Sequence, residues 1–279
     1  MDIASRMKQY EYAETQQKFI PLLPVYCRID GRSFSKFTQG FKKPFDQDFR
    51  DCMRKTSQQL IEATSASIAY TQSDEINLCW LSEDIKTDIF FSGKKQKMVS
   101  QLASLATGFF INHLHQSSSQ AMRDAALLTP SFDARVLNLP NKEECVNMFL
   151  WRENDATRNA LSMAARHLYP HKEMMGKKSH QLHEMLFEKG INFNDYPAEF
   201  KRGSYFQKRV IERILTEEER MIIPEHARPP VDQVVSRSKV VELFLPPLSQ
   251  IENRVDVFFK QQDPVCFAPP QEFSSPKPR

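Results

Sequence analysis

Apolar and polar positions follow one another through the first 140 residues in a pattern that predicts an ordered set of elements. Residues 22–29, LLPVYCRI, are rich in apolar, β-branched and aromatic side chains and predict a buried strand with Asp30-Gly31 at its C-terminal end. From Asp46 to about Thr64, Phe49, Met53, Leu60 and Ile61 share one helical face, which predicts a helix covering that strand. Residues 67–81, SIAYTQSDEINLCWL, give two short runs broken by polar Gln72-Ser73-Asp74-Glu75 and predict a β-hairpin. Met98, Leu102, Leu105 and Phe109 fall at i, i+4, i+7 and i+11 and predict an amphipathic helix. FDARVLNL, residues 132–139, predicts a closing strand.

Strand, helix, hairpin, helix, strand is the split βαβ, or ferredoxin-like, order. The expected fold class is α+β, with an antiparallel sheet, a largely helical second half and an extended C-terminal segment. In this order the first two strands run parallel with the third between them. The end of the first strand then lies beside the hairpin turn, bringing Asp30 and Asp74 to one sheet edge. A pair of ordinary turn aspartates is the alternative reading, since aspartate favours turns.

PNKEECVNMFLWRE and DATRNALSMAARHLY have helical spacing, and SHQLHEMLFEKG predicts a helix capped by Ser179 and stopped at Lys189-Gly190. Beyond Pro224 the chain is marked by prolines, and its final stretch has little to bury. The expected organisation is a split βαβ region over 1–140, a helical region over 141–223, and an extension over 224–279 whose last ten or so residues are mobile. Trp80 and Trp151 are expected in the core.

The 279-residue length and 41% hydrophobic content allow a sizeable core. No apolar run approaches the roughly 20 residues of a membrane span, and the N-terminal residues do not resemble a secretory signal, so a cytoplasmic protein is expected. Five dispersed cysteines without a C-x-x-C pair argue against a disulfide framework and a cysteine zinc site. The net charge of +3 is small, but cations bunch in SGKKQK, in HKEMMGKKSH with Lys177 and Lys178, and in EFKRG with Lys201 and Arg202. These bunches are candidate RNA or phosphate contacts or, equally, solvated faces. His167, His171, His180 and His183 lack a third ligand at metal spacing and read as surface or RNA-facing residues.

Two edge carboxylates with a main-chain carbonyl nearby form an oxygen set suited to magnesium, which binds through one or two carboxylates plus substrate phosphates. Ser73 and the backbone amides of Arg32, Ser33, Phe34 and Ser35 are candidate phosphate donors. Lys94, Lys95 and Lys97, at a predicted helix start, are candidate phosphate anchors or an exposed helix end.

RIDGRSFSKF, FKKPFD, TQSDE and FDARV together resemble the tRNA-histidine guanylyltransferase-like family of 3′-to-5′ nucleotide-adding enzymes. WRENDATRNALSM and the segment from HKEMMGKKSH to NDYPAEFKRG are similar to its bacterial-type members, and the resemblance covers roughly residues 6 to 210. It implies a polymerase-palm fold, tRNA as substrate, ATP and GTP or other nucleoside triphosphates, and a homotetramer. It further implies that Asp30, the Gly31 carbonyl and Asp74 bind two magnesium ions with Glu75 in support. Lys43 and Asp46 resemble nucleotide contacts, and Ser73 and Lys97 triphosphate contacts. Asn159 is kept from the eukaryotic motif H-I-N-N-L-Y-N, whereas Thr157 stands in the place of its histidine, and Ser35 replaces another family histidine. Bacterial-type members imply template-dependent repair of 5′-truncated tRNA. Guanosine addition to histidine tRNA, another palm nucleotidyltransferase or cyclase, and a non-catalytic RNA-binding module are the alternatives.

Overall fold

The computed structural model describes residues 1–267, with an α+β fold built on one six-stranded antiparallel sheet. The strands are β1 (Val25–Gly31), β2 (Ile68–Gln72), β3 (Glu75–Trp80), β4 (Phe132–Asn138), β5 (Ser204–Ile214) and β6 (Val234–Leu243), in spatial order β4-β1-β3-β2-β5-β6. β3 lies between β1 and β2, as the split order requires. Among the described residues the helices are α1 (Ile3–Thr15), α2 (Phe34–Phe37), α3 (Gln47–Thr64), α4 (Lys95–His115), α5 (Gln120–Ala126), α6 (Lys142–Leu168), α7 (His171–Met174), α8 (Ser179–Glu188), α9 (Ala198–Arg202), α10 (Glu217–Ile222) and α11 (Arg254–Lys260).

Both sheet faces are covered, which is why β3 is buried along its whole length and reads as a nearly unbroken apolar run. Val25, Cys27, Ile29, Ile76, Leu78 and Trp80 pack with α3 and α4 on one face. The stripe of α4 that is fully buried runs Met98, Leu102, Ala106, Phe110 and Leu114, with Leu105 and Phe109 at its margin. Tyr26, Tyr70 and Cys79 face the other way and pack with Phe149 of α6 and Phe258 of α11.

The two predicted helical runs after residue 140 are one 27-residue helix, α6. Asn141 opens it by accepting the Glu144 N–H at 2.7 Å, and Arg166 and His167 lie in its last turn, where cations suit the helix dipole. Its first half covers the sheet. Its second half runs beyond the sheet and packs Ala160, Leu161 and Ala164 against Leu182 and Leu186 of α8.

Three expectations are corrected. Ser179 is the first residue of α8 rather than its cap, and the Lys178 N–H instead donates to Gln181 Oε1 at 2.8 Å. Trp80 is buried, but Trp151 is 48% exposed because it projects from the outer side of α6, with the Arg152 guanidinium 4.7 Å from its ring centre. Finally, the boundary at 223/224 falls between β5 and β6, which pair from Tyr205↔Leu243 to Ile214↔Val234. The sheet therefore continues through both the expected helical region and the expected extension. Only the first residues of β5 are buried on both faces, and its outer half, KRVIERI, mixes charges with apolar residues, so periodicity does not separate strand from helix there. After β6, Leu248, Ile251, Val257 and Phe258 are buried in the second-face core. The last ten or so residues lie outside the described range. No described helix is long and apolar enough to cross a membrane.

Candidate active site

β1 ends on Asp30 and Gly31, and register places Asp30 opposite Glu75 on one side and Asp133 on the other. The Gly31 N–H donates to the Asp74 carbonyl at 3.1 Å, tying the strand end to the hairpin turn. Ser73 takes the left-handed conformation, φ 48°, that lets the chain reverse between β2 and β3. A Cβ at Gly31 would come within 2.4–2.8 Å of the Phe34 ring, which packs on Phe37, Phe110 and Phe132. Glycine is therefore required where the strand turns over this aromatic cluster.

Asp30 and Asp74 thus meet at one edge. Burial holds both carboxyls above their ordinary range, and charge repulsion adds to it: Glu75 and Asp133 act on Asp30, and Asp30 and Glu75 on Asp74. Arg28 offsets this repulsion on Asp30 in part, and Arg135, which is half exposed and approaches only to 3.9 Å, offsets it less. Carboxylates whose proton affinity is raised by burial and by neighbouring negative charge fit a divalent cation with oxygen ligands. Among the described residues no three His, Cys, Asp or Glu side chains converge on one point, so such an ion would complete its shell with carbonyl, water or phosphate oxygens.

Glu75 is differently engaged. Its two oxygens receive Arg152 Nε at 2.7 Å and Nη2 at 2.6 Å, and Asn77 Nδ2 donates to it at 2.8 Å. The Tyr26 hydroxyl donates in turn to Asn77 Oδ1. This buried chain fixes the face of the sheet directly behind Asp30, and it makes Glu75 a satisfied ion-pair partner beside the carboxylate edge.

A cleft of about 410 Å³ opens next to Asp74. Its walls bring together Lys43, Asp46, Ser73, Asp74 and Asn159 from three separate stretches of sequence. Phe41, Phe45, Phe49 and Phe200 supply aromatic surface, and Met163 and Arg166 come from the overhanging end of α6. The volume and mixed lining suit a small organic ligand with charged groups. Asp46 is committed to the wall itself: its carboxylate accepts the Phe49 N–H and the Lys42 N–H, each at 3.0 Å, capping α3 and closing the 42–46 turn. Lys43 extends over the loop and donates from Nζ to the Thr38 carbonyl at 3.1 Å.

The remaining candidates divide. Ser33, Phe34 and Ser35 lead into α2 next to Gly31, and the amides of Phe34 and Ser35 open that helix with no acceptor inside it. The Arg32 amide is already used, donating to the Ser131 carbonyl at 2.9 Å. Lys94, Lys95 and Lys97 are not brought to this edge. The register runs from Asp30↔Glu75 at the site to Val25↔Trp80 at the far end, about 17 Å of strand away. Trp80 stacks there on Phe90, and Lys97 lies 5.0 Å over Phe91. The helix start they occupy, α4, therefore points at the opposite edge.

Lys177 and Lys178 are exposed ahead of α8 and do not line the cleft. In EFKRG the lining residues are Glu199 and Phe200; Lys201 donates to the Asn194 carbonyl at 2.5 Å, and Arg202 to the Leu245 carbonyl at 3.3 Å. Glu199 is paired with Arg50 at 2.6 Å. His183 packs edge-on to Phe193. Pattern reading missed Arg152, Arg166 and the aromatic wall. One signal was present: Arg152, Asn159 and Arg166 recur every seven residues and so share one stripe of α6.

The family model described as tRNAHis guanylyltransferase matches residues 4–140. The chain is 30% identical over 213 residues to a tRNA(His) guanylyltransferase of Neurospora crassa, covering 70% of this chain and 71% of that protein. Among solved structures, a bacterial tRNA(His) guanylyltransferase-like protein in complex with ATP superposes with a TM-score of 0.68 at 34% identity, covering 75% of this chain and 87% of that one. A bacterial tRNA(His) guanylyltransferase-like protein in complex with GTP gives 0.64 at 28% identity, covering 88% and 93%.

Proposed function

The chain belongs to the tRNAHis guanylyltransferase family, and from that premise we propose that it is a template-dependent 3′-to-5′ nucleotidyltransferase repairing 5′-truncated tRNA. The observation that carries the reading is the meeting of Asp30 and Asp74 at one sheet edge, beside a cleft that also holds Lys43, Ser73 and Asn159. Two bacterial relatives are in complex with ATP and with GTP, which supports nucleoside triphosphates as ligands of this chain, and the cleft is their proposed place.

In the proposed reaction a 5′-phosphate oxygen attacks the α-phosphorus of ATP, releasing pyrophosphate and leaving an adenylylated end. The 3′-hydroxyl of the incoming nucleotide then attacks the 5′ phosphorus, a new phosphodiester forms, and AMP leaves. A 5′-triphosphate end skips the first step and releases pyrophosphate in the second. Asp30, the Gly31 carbonyl and Asp74 are the proposed holders of two magnesium ions. When bound, magnesium lowers the pKa of an attacking hydroxyl and neutralises a leaving phosphate. Ser73 and the amides of Ser33, Phe34 and Ser35 are proposed to hold triphosphate oxygens, with Lys43 adding positive charge. Arg152 keeps the Glu75 charge paired, which removes one carboxylate from those that substrate phosphates would meet at this edge.

Guanosine addition to intact histidine tRNA is the second reading, favoured by the activity named for the fungal relative. Against it, Thr157 stands where the eukaryotic motif has histidine. A tRNA lacking its first nucleotide and an intact histidine tRNA, offered labelled GTP and ATP with 5′ monophosphate or triphosphate ends, separate the two. Repair predicts extension of the truncated tRNA in template order. Label entering only the histidine tRNA would replace the first reading by the second. The family resemblance also suggests a homotetramer, which sedimentation of the full chain measures.

A further inference from the structure

Arg166 stands out among the charged residues of the cleft. Lys42 is 3.7 Å from Asp48, Lys43 donates to a carbonyl, Asp46 is capped by two amides, and Glu199 is paired with Arg50. Asp74 is at the carboxylate edge. Arg166 is exposed to solvent and has neither an ion pair nor a side-chain hydrogen bond among the described residues, and it lines the same cavity. A cation in the last turn of α6 gains a little from the helix dipole, but that interaction does not require a place in the cleft wall.

Its place along α6 indicates which part of a ligand it meets. Arg152 grips Glu75 behind the carboxylate edge, Asn159 is about 10 Å farther along the helix, and Arg166 about 10 Å beyond that. The cleft reaches from Asp74 and Ser73 to a wall shared by Met163, Arg166 and Phe200, so a triphosphate placed at the first end would leave the base room toward the second. A guanidinium is planar and stacks on aromatic faces, and stacking accepts every base because every base has a π face.

We propose that Arg166 holds the base of the incoming nucleotide by stacking, without selecting among bases. This inference rests on the cleft being the nucleotide site. It deepens the template-dependent reading, since base choice is then left to the template rather than to the pocket.

The test is equilibrium binding of GTP and of ATP to the full-length chain without tRNA, in wild type, Arg166→Ala and Arg166→Lys. Competition by inorganic tripolyphosphate and the thermal midpoint are recorded for each. Both variants are expected to bind GTP and ATP about tenfold more weakly, with equal losses for the two. Tripolyphosphate competition and the thermal midpoint are expected to stay at wild-type values. Unchanged nucleotide binding in Arg166→Ala would overturn the proposal. So would a loss confined to GTP, which means a guanine-specific hydrogen bond, or rescue by lysine together with weakened tripolyphosphate, which means a phosphate contact. Absence of 5′ repair by the wild-type protein would leave this binding result standing, so the two readings fail separately.

Discussion

Arg152 on α6 and Glu75 on β3 form a two-pronged buried ion pair, Nε to Oε1 at 2.7 Å and Nη2 to Oε2 at 2.6 Å, directly behind the carboxylate edge. The pair fixes the long helix that walls the cleft to the strand that follows the hairpin turn. Fold stability and site geometry therefore share one interaction.

Removing one partner leaves the other charge buried. Arg152→Ala is expected to cost roughly 3–5 kcal/mol in denaturant unfolding, while Arg152→Met with Glu75→Leu recovers much of that loss because neither charge remains. A single variant within 1 kcal/mol of wild type in such a titration would show that the pair is dispensable.

Asp30→Ala and Asp74→Ala are each expected to abolish nucleotide addition while keeping the wild-type circular dichroism spectrum. Without a cation the two carboxylates repel, so neither change is expected to lower the thermal midpoint. Retained addition by either purified variant contradicts the metal assignment.

The same carboxyls set a pH dependence. Burial first, then neighbouring carboxylates, raises both above their ordinary value, so the folded chain binds protons more readily than the unfolded one. Their contribution to stability therefore falls as pH rises from the ordinary carboxylate range through the folded values, and it stays low above them. Magnesium is expected to raise the thermal midpoint at neutral pH and to do so less near pH 4. Asp74→Ala should flatten that difference, and equal magnesium shifts at both pH values would argue against a cation at this edge.

Asp46 and Lys43 separate a wall residue from a ligand contact. Asp46→Ala removes the α3 cap and is expected to lower stability by about 0.5–2 kcal/mol, with weaker nucleotide binding as a consequence. Lys43→Ala is expected to weaken GTP binding with stability within about 0.5 kcal/mol of wild type. Unfolding and binding titrations on both variants check the split; a Lys43 variant that lost stability but bound normally would reverse it.

Much of the fold was legible because periodicity reports burial. The runs around Val25 and Ile76 and the helical faces of Met53 and Met98 identified the elements of the split βαβ unit. Their order alone brought Asp30 to Asp74, since a strand end and a hairpin turn on neighbouring strands must share an edge. β5 and β6 escaped notice because their outer halves are exposed and mixed in character, and β2 supplies the partner that makes β5 a strand.

Sequence by itself determined the α+β class and the edge at Asp30 and Asp74, and its resemblance to the family grouped Lys43, Asp46, Ser73 and Asn159. Tertiary structure alone decided that Glu75 is held by Arg152, 77 residues away, and that Lys94, Lys95 and Lys97 stand at the far edge. It also decided that the overhang of α6 with Phe200 completes the cleft. The physical reason is that local spacing states whether a side chain is buried and on which face, whereas ion-pair partners and cleft walls depend on how distant elements pack.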